Sequence, residues 1–144
     1  MASGWTVLTY LADTSALTRR GTRQEVRAAL EPLFLDGEVS ICSVVDLEIL
    51  YAANSPTAYR QTAEALRSMP RVEVDERCAR RALEVQAALA ERSQHRGLSL
   101  PDLLIAACAE RAGLTILHYD ADFERIAAVT GQPTRWVVPR GSVS

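Results

Sequence analysis

The chain contains no lysine: its 16 basic residues are all arginine, against 18 acidic residues, for a formal net charge of −2. The absence of lysine excludes the phosphate-binding loop that ends in Gly-Lys-Ser/Thr, and it excludes Schiff-base catalysis by a lysine amine. Phosphoryl-transfer domains that hold phosphate with a lysine are disfavoured for the same reason. The net charge gives no overall attraction to nucleic acid.

Histidine and cysteine are scarce as well. The two histidines, His95 and His118, are too few for HExxH or for a histidine-rich zinc site. We interpret His95 as a loop residue and His118 as a packed residue at a strand end. Cys42, Cys78 and Cys108 are odd in number and lie far apart without a CxxC pair, which predicts reduced, packed thiols. Carboxylates, hydroxyls and arginines remain as the reactive groups.

Long apolar runs are also missing. No stretch is long enough to span a membrane, and no basic region precedes an apolar run at the N-terminus as in a secretory signal. With 144 residues, of which 48% are hydrophobic, the chain has the composition of a globular domain. We expect a single domain over residues 1–144, with flexible tails at 1–4 and 140–144 and a cytoplasmic location.

Strand and helix signals alternate along the chain. An apolar, β-branched run at 6–12 predicts a buried first strand, and further strands are predicted at 39–42, 71–74, 114–117 and 135–138. Helical periodicity and capping residues occupy the segments between them. This alternation predicts an α/β fold in which helices flank a parallel sheet through right-handed crossovers.

Four acidic residues are predicted to reach the same edge of this sheet. Asp13 and Asp120 follow buried strands, Asp102 lies at a helix start, and Glu48 lies about one turn into a helix, on its apolar face. Strand C-termini and helix N-termini share one edge in such a sheet, so the four carboxylates should meet there. Each alone has a structural explanation, as a helix cap, a helix-start acid or a side chain that snorkels to solvent.

Carboxylates that lie so close together cannot all stay ionised without a counter-charge, and no lysine is available to supply it. Divalent cations supply it, and an all-carboxylate set favours Mg²⁺ or Mn²⁺ over zinc. Such a site could activate water for an in-line displacement at phosphorus. Arg19, Arg20 and Arg23 could then contact phosphates, although such a run is more often a solvated helix face.

The acidic segments, in this order and at this spacing, resemble the PIN-domain ribonucleases, and more narrowly the VapC toxins of bacterial VapBC toxin–antitoxin pairs. The resemblance extends over nearly the whole chain. The segments are Leu11-Ala-Asp13-Thr-Ser15-Ala-Leu17, Val45-Asp-Leu-Glu48, Leu100-Pro-Asp102-Leu-Leu-Ile-Ala-Ala107 and Leu117-His-Tyr-Asp120-Ala-Asp122-Phe-Glu-Arg-Ile126.

This resemblance implies a three-layer α/β/α sandwich with a central parallel sheet and a Mg²⁺- or Mn²⁺-dependent endoribonuclease that cleaves RNA as the toxin of a type II pair. It implies a homodimer and a cognate VapB-type antitoxin whose tail enters the active-site groove. We expect residues 57–69 to form part of the dimer interface.

The resemblance also assigns roles to the acidic residues. Asp13 and Asp102 would be the principal metal ligands, Asp120 would help to hold the metal, and Glu48 would ligate it or orient the attacking water. These four residues form the expected catalytic set.

Two further residues join this set with smaller roles. Ser15 resembles the small polar residue that backs the first aspartate of the family. The spacing of the last motif leaves open whether Asp122 is a metal ligand or a helix-start residue, and we favour Asp120 as the ligand.

Two alternatives compete with this interpretation. One is a phosphatase or phosphotransferase that uses Asp13 as its nucleophile; the absence of lysine disfavours it. The other is a non-catalytic PIN domain that only binds a partner, which gives no reason to place Glu48 on an apolar helix face.

Overall fold

The computed structural model describes residues 8–144. Its centre is a four-stranded sheet in which all neighbouring strands are parallel, in the order β2-β1-β3-β4. The carboxyl ends of the strands therefore lie along one edge, as the alternation of the sequence predicted. The strands are β1 Tyr10–Ala12, β2 Val39–Ser40, β3 Thr115–His118 and β4 Thr134–Trp136.

Helices cover both faces of the sheet, which confirms the predicted α/β/α sandwich. A short 3-10 helix at His95–Gly97 precedes the sixth of the α-helices in the described part of the chain. Among the helices of residues 8–144, none combines the length and apolarity needed to cross a bilayer. The helices are α1 Thr14–Arg20, α2 Gln24–Leu35, α3 Ser43–Tyr51, α4 Pro56–Arg67, α5 Glu76–Glu91, α6 Leu100–Ala112 and α7 Asp122–Thr130.

Strand β3 divides the apolar interior into two cores. Successive side chains of a strand point to opposite faces, so Ile116 packs into the core built mainly from α3 to α7, whereas Leu117 packs with Val26 and Leu30 of α2. All four side chains are fully buried, and each contributes about 1.5–3 kcal/mol of hydrophobic free energy. Burial on both faces keeps the sheet edge fixed relative to the helices.

The three cysteines are free and buried, as predicted. Cys42 precedes α3, Cys78 lies in the first turns of α5, and Cys108 lies in α6. All three belong to the same apolar core.

The strand predicted at 71–74 is wrong. Arg71 makes only a single parallel bridge to Ile41, and residues 72–74 are not part of a strand. The Arg71 guanidinium is instead occupied by the Asp46 carboxylate and the Leu66 carbonyl, and Asp75 then caps α5 by accepting a hydrogen bond from the Cys78 amide. Local side-chain hydrogen bonds therefore end the pairing after one bridge.

Other strands are shorter than predicted. β1 begins at Tyr10, and residues 6 and 7 of its predicted range lie outside the described residues, as do tail residues 1–4. β2 has two residues of the four expected, because the chain turns into α3 at Ser43. The last strand is at the sheet edge, as expected, but covers Thr134–Trp136.

The C-terminal segment lies against Tyr119. The Tyr119 hydroxyl accepts hydrogen bonds from the amides of Gly141 (2.9 Å) and Val143 (3.2 Å), and it donates one to the Val143 carbonyl (2.7 Å). Arg19 Nε also donates to the Ser144 carbonyl. The segment thus reaches the edge of the sheet that carries Asp120, and its flexibility stays a prediction.

Candidate functional site

Asp13 links the end of β1 to the start of α1. It is the N-cap of that helix: its Oδ2 accepts a hydrogen bond from the Ser15 amide at 2.9 Å. Its Oδ1 is buried and has no hydrogen-bond partner within residues 8–144, and the residue is only 2% exposed. Burial raises the pKa of Asp13, and the charge of Glu48 raises it further, while hydrogen bonding from Ser15 opposes both. A buried carboxylate oxygen without a partner is costly, so this atom marks a position for a ligand.

Asp102 lies in the first turn of α6, with its side chain directed into the acidic region. The Ser99 hydroxyl caps α6 by accepting from the Asp102 amide at 3.2 Å, as the sequence predicted. The residue is 7% exposed, and a hydrogen bond between the Ser99 side chain and the Asp102 carboxylate lowers the pKa of Asp102. Burial raises its pKa to about 7, and repulsion by Asp13, Asp120 and Glu48 adds to the effect. The contact with Ser99 therefore offsets only part of the rise in the pKa of Asp102 that burial and the neighbouring acids cause.

Asp120 and Asp122 lie together where β3 leads into α7. Asp120 Oδ1 accepts a hydrogen bond from the Asp122 amide at 2.9 Å. One oxygen from each of Asp102, Asp120 and Asp122 lies within 4.8 Å of the other two. Burial raises the pKa of Asp122, and the charge of Asp120 adds to this effect. The structure thus brings both aspartates of the last motif to the same place.

Glu48 reaches the same region from α3. It is half-buried, and its Oε1 accepts a hydrogen bond from the Thr14 hydroxyl at 2.7 Å. This contact of Thr14 is not among the features predicted from the sequence. The available signal was its position directly after Asp13, at the start of a helix that packs near α3.

Ser15 connects the segment that carries Asp13 with the segment that carries Asp120. Its amide binds Asp13, and its hydroxyl accepts a hydrogen bond from the Tyr119 amide at 2.8 Å. Because Tyr119 directly precedes Asp120, this contact fixes the first and last acidic segments relative to each other.

His118 is fully buried at the end of β3, as the sequence predicted. Its ring lies 5.1 Å from that of Phe123 and 4.9 Å from that of Trp136, measured between centroids. Its Nδ1 accepts a hydrogen bond from the Asp120 amide at 3.0 Å. Burial lowers the pKa of His118 to about 4, against the opposing charges of Asp120 and Glu124, so the ring is neutral at physiological pH.

The three arginines near Asp13 have different surroundings. Arg19 Nη1 donates to the Ser15 carbonyl at 2.8 Å, so its guanidinium lies at the rim of the acidic site. Arg20 forms an ion pair with Glu31 of α2. Arg23 donates to a loop carbonyl and to the C-terminal segment.

The acidic residues fit a divalent metal ion. Within residues 8–144, no arginine or histidine forms an ion pair with Asp13, Glu48, Asp102, Asp120 or Asp122. The donors are all carboxylate oxygens, which hard divalent cations prefer, and one of them is buried without a partner. The charge of Arg125 lowers the pKa of Asp122, which still remains raised. A bound cation would supply further counter-charge to the carboxylates.

Comparisons with known proteins show the family to which the chain belongs. The sequence model of the PIN-domain family matches residues 10–129 of this chain. The chain is 48% identical over 136 residues to Ribonuclease VapC51 of Mycobacterium tuberculosis, with 94% of this chain and 98% of that protein covered. It is 49% identical over 133 residues to Ribonuclease VapC2 of the same species, with 91% and 94% covered.

Solved structures of VapBC proteins share the fold. VapBC2 from Rickettsia felis bound to a promoter DNA fragment gives a TM-score of 0.74 at 18% identity, with 90% of this chain and 99% of that chain covered. DNA-bound VapBC from Salmonella typhimurium gives 0.73 at 18% identity, with 91% and 99% covered.

Replacing Asp102 by asparagine should stabilise the metal-free protein at pH 8. Because the pKa of Asp102 rises from 3.8 to about 7 on folding, the stability that its proton contributes is fully present below pH 3.8 and is lost as the pH rises to about 7. The substituted amide stays neutral at every pH and avoids that loss. Melting temperatures in EDTA between pH 5 and pH 8 test this, and Mg²⁺ should then stabilise the wild type more than the variant.

The control for this measurement is Asp36→Asn, at an exposed turn. It should follow the wild-type curve with and without Mg²⁺. A wild type that is more stable than Asp102→Asn at pH 8 in EDTA would contradict the electrostatic account of the site.

Proposed function

Because the chain belongs to the PIN-domain family and, within it, to the VapC ribonucleases, we propose that it is a metal-dependent endoribonuclease acting as the toxin of a type II toxin–antitoxin pair. One observation carries the proposal: oxygens of Asp102, Asp120 and Asp122 lie within 4.8 Å of one another at the sheet edge, and none of these carboxylates has an ion-pair partner among residues 8–144. The charges of Asp13 and Glu48 also act on Asp102. As part of this proposal the protein acts on RNA in the cytoplasm.

The proposed ion is Mg²⁺ or Mn²⁺, with Asp13 and Asp102 as principal ligands and Asp120 as a further ligand. When bound, it supplies activation of water and stabilisation of charge at the scissile phosphate. Glu48, whose carboxylate accepts a hydrogen bond from the Thr14 hydroxyl, would orient the water and accept its proton. Asp122 adds a further carboxylate beside Asp120.

The proposed RNA-phosphate contacts are Arg19, Arg20 and Arg23, and the surroundings favour Arg19. Its guanidinium lies against Ser15, next to Asp13, and 4.8 Å from the centre of the Tyr119 ring. Arg20 is already paired with Glu31, so less of its charge is available to a phosphate.

The matched variants Arg19→Gln and Arg20→Gln separate these roles. Arg19→Gln should weaken RNA binding and reduce the slope of log affinity against log salt by about one unit. Arg20→Gln should have a smaller effect on both quantities. Binding of a non-cleaved RNA to the Asp102→Asn background at several salt concentrations measures this, and equal effects of the two variants would contradict the preference for Arg19.

The proposed regulatory partner is a VapB-type antitoxin. The support is that the structural neighbours include VapBC from Salmonella typhimurium and Rickettsia felis and a toxin–antitoxin complex from Klebsiella pneumoniae. An acidic groove of this kind complements basic side chains of a partner, so a basic antitoxin tail entering the groove would compete with RNA and with the metal ion.

The proposed oligomer is a homodimer formed through an apolar face beside the site. A groove of about 460 Å³ is lined by α3 and the start of α6, next to Glu48. The exposed side chains of this face favour it over residues 57–69, where Tyr59 is the large apolar side chain exposed. The large exposed side chains of this apolar face are Leu47, Tyr51 and Leu100, and Leu83 of α5 lines a neighbouring groove that shares Leu100.

Tyr51→Arg should weaken the dimer at least about tenfold, because Tyr51 is 91% exposed in the single chain and an arginine would repel its copy across a symmetric interface. Sedimentation velocity over a concentration series measures the dissociation constant. Leu35→Arg, on the exposed side of α2, is the control and should leave it unchanged. Equal dissociation constants for Tyr51→Arg and wild type would exclude this face.

The proposed activity is tested by cleavage of a total RNA pool with purified protein that is free of antitoxin. Discrete fragments should form with Mg²⁺ or Mn²⁺ and disappear with EDTA. Asp13→Asn and Asp102→Asn should each reduce the rate by roughly a hundredfold or more, since a ligand to an ion that stabilises the transition state contributes several kcal/mol.

The matched control is again Asp36→Asn, which should cleave at the wild-type rate. Undiminished cleavage in EDTA, or full activity of Asp102→Asn, would refute the metal-dependent mechanism. An absence of cleavage by every protein would favour a domain that only binds a partner.

A further inference from the structure

Two side-chain-to-backbone hydrogen bonds follow each other between β3 and α7. His118 Nδ1 accepts from the Asp120 amide, and Asp120 Oδ1 accepts from the Asp122 amide, so each side chain binds the amide two residues further on. Asp13 and the Ser15 amide make the same type of turn at the end of β1. Turns of this kind fix the backbone locally, where neither a helix nor a sheet supplies partners.

We infer that His118 is a positioning residue for the acidic centre: its imidazole holds the Asp120 main chain so that the carboxylates of Asp120 and Asp122 face Asp102 before any cation binds. The inference rests on the proposed metal centre. His118 itself touches neither the metal nor the substrate in this account, and it acts only through the backbone of residues 120–122.

The ring of His118 is rigidly held. It is fully buried, lies between the rings of Phe123 and Trp136, and its own carbonyl accepts a hydrogen bond from the Val137 amide at 2.8 Å. A rigid acceptor fixes the donor that it binds. The Asp120 amide therefore has little freedom to turn away from the site.

The second ring nitrogen, Nε2, shows that the hydrogen bond accepted by Nδ1 is accompanied by a loss of stability. Because Nδ1 accepts, the proton of the neutral ring lies on Nε2, and Nε2 is buried without a hydrogen-bond partner in the part of the chain that the structure describes. An unsatisfied buried polar group costs about 1–3 kcal/mol. An apolar ring at this position would avoid the cost, so packing alone does not account for histidine here.

Electrostatics explains why the acidic centre needs such a support. Oxygens of Asp102, Asp120 and Asp122 lie within 4.8 Å of one another, and their charges repel when no cation is bound. Repulsion would drive the loop of residues 119–121 outward. The chain of hydrogen bonds from His118 through Asp120 to Asp122 opposes that movement.

The test compares His118→Phe with His118→Asn. Phenylalanine keeps the aromatic packing and removes the acceptor, whereas the asparagine Oδ1 can accept from the amide two residues on, as Asp13 and Asp120 do. Phe123→Leu is the control, since it loosens the same aromatic packing without removing a side-chain acceptor. The measurement is the dissociation constant of Mn²⁺ in the absence of RNA, by calorimetry, together with the melting temperature in EDTA.

We expect His118→Phe to weaken Mn²⁺ binding about 10–100-fold, the usual effect of losing a group that orients metal ligands. Its melting temperature should stay near that of the wild type. His118→Asn should recover most of the affinity, and Phe123→Leu should lower the melting temperature while binding Mn²⁺ like the wild type. If the role of His118 were purely structural, the Mn²⁺ affinity would instead fall in proportion to the melting temperature in every variant.

Three results overturn the inference in different ways. Wild-type Mn²⁺ affinity in His118→Phe removes the role of His118 and leaves the proposed metal centre intact. Failure of the wild type itself to bind Mn²⁺ removes both. If His118→Phe does not fold, His118→Leu replaces it, and wild-type Mn²⁺ affinity in this variant has the same meaning as the first result.

Discussion

Repulsion between carboxylates at one edge of the sheet is the constraint on which the rest of the structure depends. Parallel strands and helix N-termini bring Asp13, Asp102 and Asp120 to that edge, and the chain supplies no cationic partner for them among its described residues. Backbone amides and hydroxyls hold the acids in place instead: the Ser15 amide binds Asp13, and the Thr14 hydroxyl binds Glu48. The protein is organised to keep like charges together, which has an energetic cost in the absence of a cation.

This cost connects stability with function. Two apolar cores on opposite faces of β3 fix the sheet edge. The raised pKa values of Asp13 and Asp102 mean that these acids, when ionised, lower the free energy of unfolding. A cation that binds to the folded protein at this edge raises the free energy of unfolding. Active sites are commonly built in this way, because the groups that react are held in an arrangement that is unfavourable without the ligand.

The sequence was sufficient for the layers of the fold and for the position of the acids. Apolar strands that end in Asp13 and Asp120, and the capped helix start at Asp102, follow from local patterns and from the geometry of parallel sheets. The sequence did not predict the bond between Thr14 and Glu48, because these residues are 34 positions apart and only packing of α1 near α3 joins them. It failed at residues 71–74 because an apolar alternation says nothing about an arginine side chain that pairs elsewhere. The contact of His118 with the Asp120 amide was missed for a related reason: burial was predictable, but the orientation of the ring was not.

The three buried cysteines allow the local opening of the apolar core to be measured by thiol labelling. They lie on separate elements, before α3, in α5 and in α6, and all belong to one core. A thiol reagent in solution can reach them only when the packing between these helices opens, so the rate of labelling measures the frequency of that opening. Two of these elements, α3 and α6, also carry Glu48 and Asp102. Labelling of Cys42 and Cys108 therefore registers how tightly the helices that carry these acids are closed, without any substrate present.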